Sequence, residues 1–466
     1  MVGIKQNTLE TTKAYLRLQG AEHGGRARGF TSVWITENNA VTPPEEDGLI
    51  GKILCPYNLN KAYLKVCRNK GNHGVDGLKI ESLKDYLVNH GSELVCSIRN
   101  GKYRPNPVRR VEIPKDGHST RPLGIPTVVD RLVQQAIHQV LSPIYEQQFS
   151  DNSFGFRPKR SAHHALFRSK EIISEGYNYA VDMDMEKFFD TVNHSKLVEV
   201  LSRTIKDGRV IALIHKYLNA GVVVNHEFED TEQGVPQGGP LSPLLSNIVL
   251  NELDKELIAR GHRFVRYADD MVIFCRSKRA GERIKISVTS FIENRLFLKV
   301  NRDKTSVVYF SNIKLLGYSF YQIKGEVRFR IHPKSIQKMR SKIKELTGRS
   351  NGLGNEARKK KLSYFIKGWI NYFKYADIKN LLIKTDSWYR HRLRIVIWKQ
   401  WKEIRAKWRN LVKLGINKFK AWEYANTRKG YWHIANSYIL TKSITNNRLC
   451  QAGYTMFSDY YKLVRV

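Results

Sequence analysis

The chain has 466 residues with 41% hydrophobic content, enough for packed cores and, at the usual domain size, for about three domains. Its formal charge of +36 demands a polyanionic partner, nucleic acid or an anionic membrane. No run of about 18 apolar residues exists to span a bilayer, and the polar, mixed-charge stretch from Met1 to Gly20 does not resemble a secretory signal, so nucleic acid takes precedence.

In chain order, residues 1–50 carry a basic, glycine-rich stretch, Gly24-Gly25-Arg26-Ala27-Arg28-Gly29, that reads as a linker or a phosphate contact. From Asn58 to His90 the pattern is helical around a turn-rich loop, Gly71 to Gly77. Pro105, Pro107, Pro114, Pro122 and Pro126 exclude a long helix over 103–130 and favour short strands. Residues 131–149 read as an amphipathic helix. Asn178 to Asp184 alternates like a strand, and Leu241 to Ala259 reads as a helix with Leu244, Leu245, Ile248, Leu253 and Leu257 inward. Phe264 to Phe274 then predicts a β-hairpin with Asp269 and Asp270 at its tip. After Ile331 the texture changes: residues 331–410 hold 22 Lys or Arg against five Asp or Glu, with Leu362, Phe365, Ile366, Trp369, Ile370 and Phe373 at helical spacing. That one-signed excess on a helical domain points to nucleic-acid contact, with the tryptophans as core.

The cysteines, Cys55, Cys67, Cys96, Cys275 and Cys450, are odd in number and lack C-x-x-C spacing, so neither a disulfide framework nor a zinc site is expected. His163, His164 and His391 read as surface or packing residues. The chemistry lies in the acids. Ionised neighbours repel, and hard oxygen ligands suit Mg²⁺, so the Asp269-Asp270 pair is a candidate for two-metal phosphoryl transfer. A third acid must come from another segment. Asp182 and Asp184 lie on one face at the end of the strand before Phe189, and spacing alone does not choose between them.

Several motifs then occur in order: Ile113-Pro114-Lys115 with Arg121 to Pro126, Ser153-Phe154-Gly155-Phe156-Arg157-Pro158, Asp184 to Asp190, Gly234 to Pro243, Tyr267-Ala268-Asp269-Asp270, and Leu315-Leu316-Gly317-Tyr318. Together they resemble a bacterial group II intron reverse transcriptase-maturase. The resemblance implies an α+β right-hand polymerase of fingers and palm with an all-α basic thumb, or maturase, domain and a small tail. It divides the chain into an N-terminal extension (1–57), fingers and palm (58–330), thumb/maturase domain (331–415) and a DNA-binding-like tail (416–466).

It also implies site roles. Asp184, Asp269 and Asp270 are the catalytic and metal-binding carboxylates, with two Mg²⁺ ions (Mn²⁺ as substitute), while Asp182 and Asp190 serve structure. Phe189 resembles the gate that rejects a ribose 2′-hydroxyl. Lys115, Arg121 and Arg109 would hold the triphosphate, and Gln237 with Gly238 and Gly239 would abut the incoming nucleotide. Gly317 and Tyr318 resemble a primer grip, a plain strand turn being the alternative. Arg157 and Lys304 are candidate phosphate contacts. The implied partners are the parent intron RNA, an RNA template with DNA primer, target DNA and dNTPs, in a bacterial cytoplasm at the nucleoid. The paired cysteines and histidines of an HNH endonuclease are missing from the tail, so priming from a nascent strand or a nick is expected. Two other readings stand beside this one. A splicing-only maturase would carry a vestigial polymerase. An RNA-dependent RNA polymerase would share the carboxylates but conflicts with Phe189.

Overall fold

The computed structural model describes residues 47–114, 120–225 and 227–465. The glycine-rich stretch at 24–29, most of the N-terminal extension and Lys115 lie outside them. Among the described residues the strands are, in chain order, β1 (Val108–Pro114), β2 (Thr120–Ile125), β3 (Tyr179–Met183), β4 (Val222–Val224), β5 (Glu227–Glu229), β6 (Arg263–Tyr267), β7 (Asp270–Cys275), β8 (Ser306–Tyr309), β9 (Tyr318–Ile323) and β10 (Glu326–Ile331). Two compact units interleave along the chain. Of the described residues, one unit comprises 47–159, 185–260 and 288–301; the other comprises Arg160–Asp184, Gly261–Ser287 and 302–465.

The first unit is built on the helix Val128–Glu146, three residues earlier than its sequence pattern suggested, because Thr127 caps it by accepting from the Asp130 amide at 3.1 Å. Leu132, Val133, Ala136, Ile137 and Leu141 recur at three- and four-residue steps and are buried. The helix Pro56–Asn69 packs on it through Leu59, Ala62 and Val66. Asn58 ties the two by donating to the Ala136 carbonyl at 3.1 Å. The helix Ser242–Ala259 buries the five predicted apolar residues, and also Ser246, Asn247, Asn251 and Asp254, leaving Lys255 and Ile258 exposed near its C-terminal end. Polar groups at that depth need partners: Asn247 donates to the Gly155 carbonyl at 2.9 Å. A four-stranded sheet of order β2-β1-β4-β5 completes this unit, with β1 antiparallel to β2 and parallel to β4.

The second unit holds a four-stranded antiparallel sheet of order β6-β7-β3-β8 and a two-stranded β9-β10 sheet whose Val327, Phe329 and Ile331 alternate inward. Helices follow: Pro333–Leu346, Asn355–Phe373, Lys379–Gln400, Ile404–Lys413, Lys418–Ala425 and shorter ones to Val464. In Asn355–Phe373 the stripe Leu362, Ile366, Ile370 and Phe373 is buried, each side chain contributing roughly 1.5–3 kcal/mol. Phe365 and Trp369, also expected inside, are only half-buried, since they flank the stripe. Residues after 416 pack into the same unit. The buried Asp386 carboxylate accepts from the Phe457 and Ser458 amides, both at 2.8 Å, so it caps the last helix, Phe457–Val464. Phe457 packs against Trp369 and Tyr389. Among the described residues no helix is long and apolar enough to cross a membrane.

Candidate active site

β6 ends at Tyr267 and β7 begins at its cross-strand partner Asp270, so Ala268-Asp269 is a two-residue turn. Ala268 takes φ +56, a left-handed conformation that costs a residue with a Cβ free energy. Arg266, fully buried, braces the turn by donating to the Ala268 carbonyl at 3.1 Å. β3 is the neighbour of β7 in the register Asp182↔Val272 and Met183↔Met271. One further step along that register sets Asp184 opposite Asp270. Alternation puts Asp182, Asp184 and Asp270 on one face.

The electrostatics agree. The Asp182 carboxyl is pushed up to about 6, first by burial and then by the Asp270 and Asp184 carboxylates, with Lys314 acting the other way. Asp184 is anchored through its amide, which donates to Thr305 Oγ1 at 3.2 Å. Its Oδ2 lies 3.1 Å from the ammonium of Lys304, yet is shielded from solvent and lacks a well-directed hydrogen bond. Hard carboxylate oxygens on one face, one of them held only by an exposed ammonium, fit a divalent cation by chemistry. No group of three or more His, Cys, Asp or Glu side chains close enough to hold a metal ion occurs among the described residues.

The first unit assembles a second set of the expected residues. Arg121 Nε donates to Gln237 Oε1 at 3.0 Å, and the Gly124 amide donates to the Gln237 carbonyl at 2.6 Å. Gly238 follows at φ +121, where a Cβ would stand 2.2 Å from the Gly124 carbonyl oxygen. The close approach expected of this glycine is thus to β2 of its own chain. Beside it lies a cavity of 110 Å³ whose lining includes Val108, Arg110, Pro122, Phe189, Gln233 and Gln237. Phe189 is nearly buried, edge-on to Phe188 at 5.3 Å, and its carbonyl accepts from the Val235 amide. Arg109 does not line this cavity. Its neighbour Arg110 does, because successive strand residues face opposite ways, and Arg109 instead donates to the His73 carbonyl at 2.9 Å.

The residues expected to touch nucleic acid lie in different surroundings. Arg157 is buried: its guanidinium meets Glu146 at 2.7–3.1 Å and the Ser150 and Ser153 carbonyls, so it has no face for phosphate. Tyr318 is fully enclosed, ringed by Phe329 and Phe373, with its hydroxyl donating to the Tyr372 carbonyl. Leu316-Gly317 is a tight turn: both residues have positive φ, and Leu315 and Tyr318 exchange backbone hydrogen bonds across it. Lys304 is exposed but engaged with Asp184.

Residues 113–320 match the reverse transcriptase (RNA-dependent DNA polymerase) family, and residues 336–415 match the maturase-specific domain of group II introns. Protein YkfC of Escherichia coli is 35% identical over 299 residues, covering 56% of this chain and 78% of that protein. The group II intron-encoded protein LtrA of Lactococcus lactis subsp. cremoris is 32% identical over 332 residues, covering 57% of this chain and 55% of LtrA. The chain belongs to the group II intron-encoded reverse transcriptase-maturases. Putative COX1/OXI3 intron 2 protein of Saccharomyces cerevisiae is 36% identical over 199 residues, 42% of this chain and 23% of that protein. The match thus spans about half the length of LtrA and less of the yeast protein.

In this reverse transcriptase-maturase, sequence reasoning missed Arg266, Thr305, Lys314, Arg110 and Gln233. A basic residue two positions before a tight turn, as Arg266 is, signals a brace only once it is known to be buried. Thr305 and Lys314 reach Asp184 and Asp182 through the fold and left no local signal.

Proposed function

We propose that this protein is an RNA-directed DNA polymerase that also binds its parent group II intron RNA, and so assists splicing and retrotransposition by target-primed reverse transcription. The observation that carries the reading is the register bringing Asp184 opposite Asp270 and beside the Asp269 turn, in a chain that joins a reverse transcriptase segment to a maturase-specific one. In this reading residues 58–330 are fingers and palm, 331–415 the basic thumb, and 416–466 a tail that meets target DNA. The same reading puts its work in a bacterial cytoplasm, at the nucleoid.

Asp184, Asp269 and Asp270 would hold Mg²⁺, which when bound acidifies the primer 3′-hydroxyl and neutralises the leaving pyrophosphate. The chain's own groups do the rest. Arg121 is half of a cation–amide pair with Gln237 and offers its remaining donors to the triphosphate. Phe189 closes the sugar side, where its ring rejects a 2′-hydroxyl. Thr305 holds Asp184 in place through its backbone. Lys304 balances the charge of the Asp184 carboxylate.

The test is dNTP incorporation on a primed RNA template with Mg²⁺, with intron splicing measured in parallel. Asp269→Ala should lower incorporation at least about 10²-fold while leaving splicing assistance intact; full incorporation by that variant removes Asp269 from the mechanism. Phe189→Val should raise rNTP use relative to dNTP. The splicing-only reading draws on one observation, the Lys304 ammonium on Asp184. It prevails if intron RNA is bound and spliced but no cDNA forms with Mg²⁺ or Mn²⁺.

A further inference from the structure

The helices Ile404–Lys413 and Lys418–Ala425 form a hairpin. Gly415 turns the chain at φ +88, and Asn417 caps the second helix by accepting from the Phe419 amide at 3.0 Å. The turn brings Trp408 and Trp422 edge to face, 6.5 Å apart. Trp408 Nε1 donates to the Lys418 carbonyl at 3.2 Å, which fixes that ring. Between the helices opens a cavity of 630 Å³ lined by Arg405, Trp408, Arg409, Lys418, Phe419 and Trp422.

The second helix is inverted relative to an ordinary surface helix. Its buried residues are Ala421 and Ala425, while Phe419 is 87% and Trp422 52% exposed. Burying such rings normally stabilises a fold, so clustering them in water marks a surface kept for a ligand. Charge says which ligand. Arg405 and Arg409 stand one helical turn apart on one wall and Lys418 on the other, and none of the three is in an ion pair among the described residues. An open slot of aromatic rings, rimmed by cations, suits a flat π-system carried on a phosphate chain. Bases of a duplex are already stacked and cannot enter; an unpaired base can.

We propose that this hairpin is a stacking site for an unpaired base of single-stranded RNA. RNA is preferred over DNA because Arg405, Trp408 and Arg409 lie within the maturase-specific segment, so that choice rests on the maturase role proposed above and sets Lys418, Phe419 and Trp422 apart from the target-DNA contact proposed for the rest of the tail. The stacking itself does not.

The full chain is titrated by fluorescence anisotropy with labelled oligoadenylate RNA of about ten nucleotides, the size of a short single-strand site. The same strand with abasic sugars and the DNA counterpart serve as comparisons. Phe419→Ala and Trp422→Ala should bind the base-bearing RNA about 5- to 150-fold more weakly, with affinity for the abasic strand unchanged. Arg409→Ala should weaken both strands and flatten the salt dependence by about 0.7 of a unit of slope. Phe419 is so exposed that its removal spares the fold, which keeps the test open if Trp422→Ala misfolds. Equal affinity in wild type and Phe419→Ala, or equal losses on base-bearing and abasic strands, overturns the site. Preference for the DNA strand overturns the assignment to RNA. A protein that shows the predicted losses but does not assist splicing upholds the stacking site and refutes the maturase role.

Discussion

Arg157→Met should loosen the first unit and leave nucleic-acid binding alone. The Arg157 side chain is 3% exposed and that of Glu146 28%. Its Nε lies 3.1 Å from both Glu146 oxygens and its Nη2 2.7 Å from one, while Nη1 serves the Ser150 and Ser153 carbonyls. Removing one partner of a buried pair costs about 3–5 kcal/mol. Glu146 can rehydrate part of its carboxylate, which selects the lower end, about 3 kcal/mol, or roughly a hundredfold in an opening equilibrium. The assay is amide hydrogen exchange read by mass spectrometry over 128–159, because no tryptophan among the described residues lies in this unit to report by fluorescence. Exchange there should accelerate about a hundredfold. Arg157→Lys should fall between, since a point charge cannot reproduce the fork. Unchanged exchange together with tenfold weaker RNA binding would show that the guanidinium faces nucleic acid, and the reasoning fails.

Gly238→Ala should be strained twice, by φ +121 and by a Cβ 2.2 Å from the Gly124 oxygen; a melting temperature and a polymerase rate both equal to wild type would refute this. Burial, opposed by hydrogen bonds from Thr127, Tyr103 and Asn106, holds the Asp130 carboxyl above its usual range. The folded chain therefore keeps this proton where the unfolded chain has lost it. Stability from Asp130 should fall as pH rises above 3.8 through its folded value, and Asp130→Asn should remove that slope in urea midpoints taken across the acid range. Tyr103→Phe, which strips a 2.7 Å hydrogen bond from this carboxyl, should cost about 1–3 kcal/mol in the same measurement. Arg121→Ala should raise KM for dNTPs more than it lowers kcat, and the reverse pattern would tie Arg121 to the chemical step instead.

Much of the local order was legible. The prolines of 103–126 gave β1 and β2, alternation gave β3, and the paired acids between strand-forming runs gave the β6-β7 turn. The helices after Ile331 follow from the Leu362, Ile366, Ile370, Phe373 stripe. These are short-range patterns, and hydrophobic periodicity encodes them directly. Within the site, the Asp269-Asp270 pair was readable as acids that need a counter-charge, because ionised neighbours repel, while spacing left Asp182 and Asp184 open and only the family resemblance chose Asp184.

Direction and depth were not readable. Arg109 and Arg110 are adjacent and alike, and only the strand's orientation decides which one lines the Phe189 cavity. Arg157 and Tyr318 sit in motifs that look like surface contacts, yet the fold encloses both, one on Glu146 and one among aromatic rings. Phe419 and Trp422 stand in water because Ala421 and Ala425 took the inner face. By itself the sequence determined which chemistry the chain carries and the local elements that carry it. Which cations and aromatics are free to meet a ligand was decided by tertiary packing alone, since burial depends on contacts far apart in the chain.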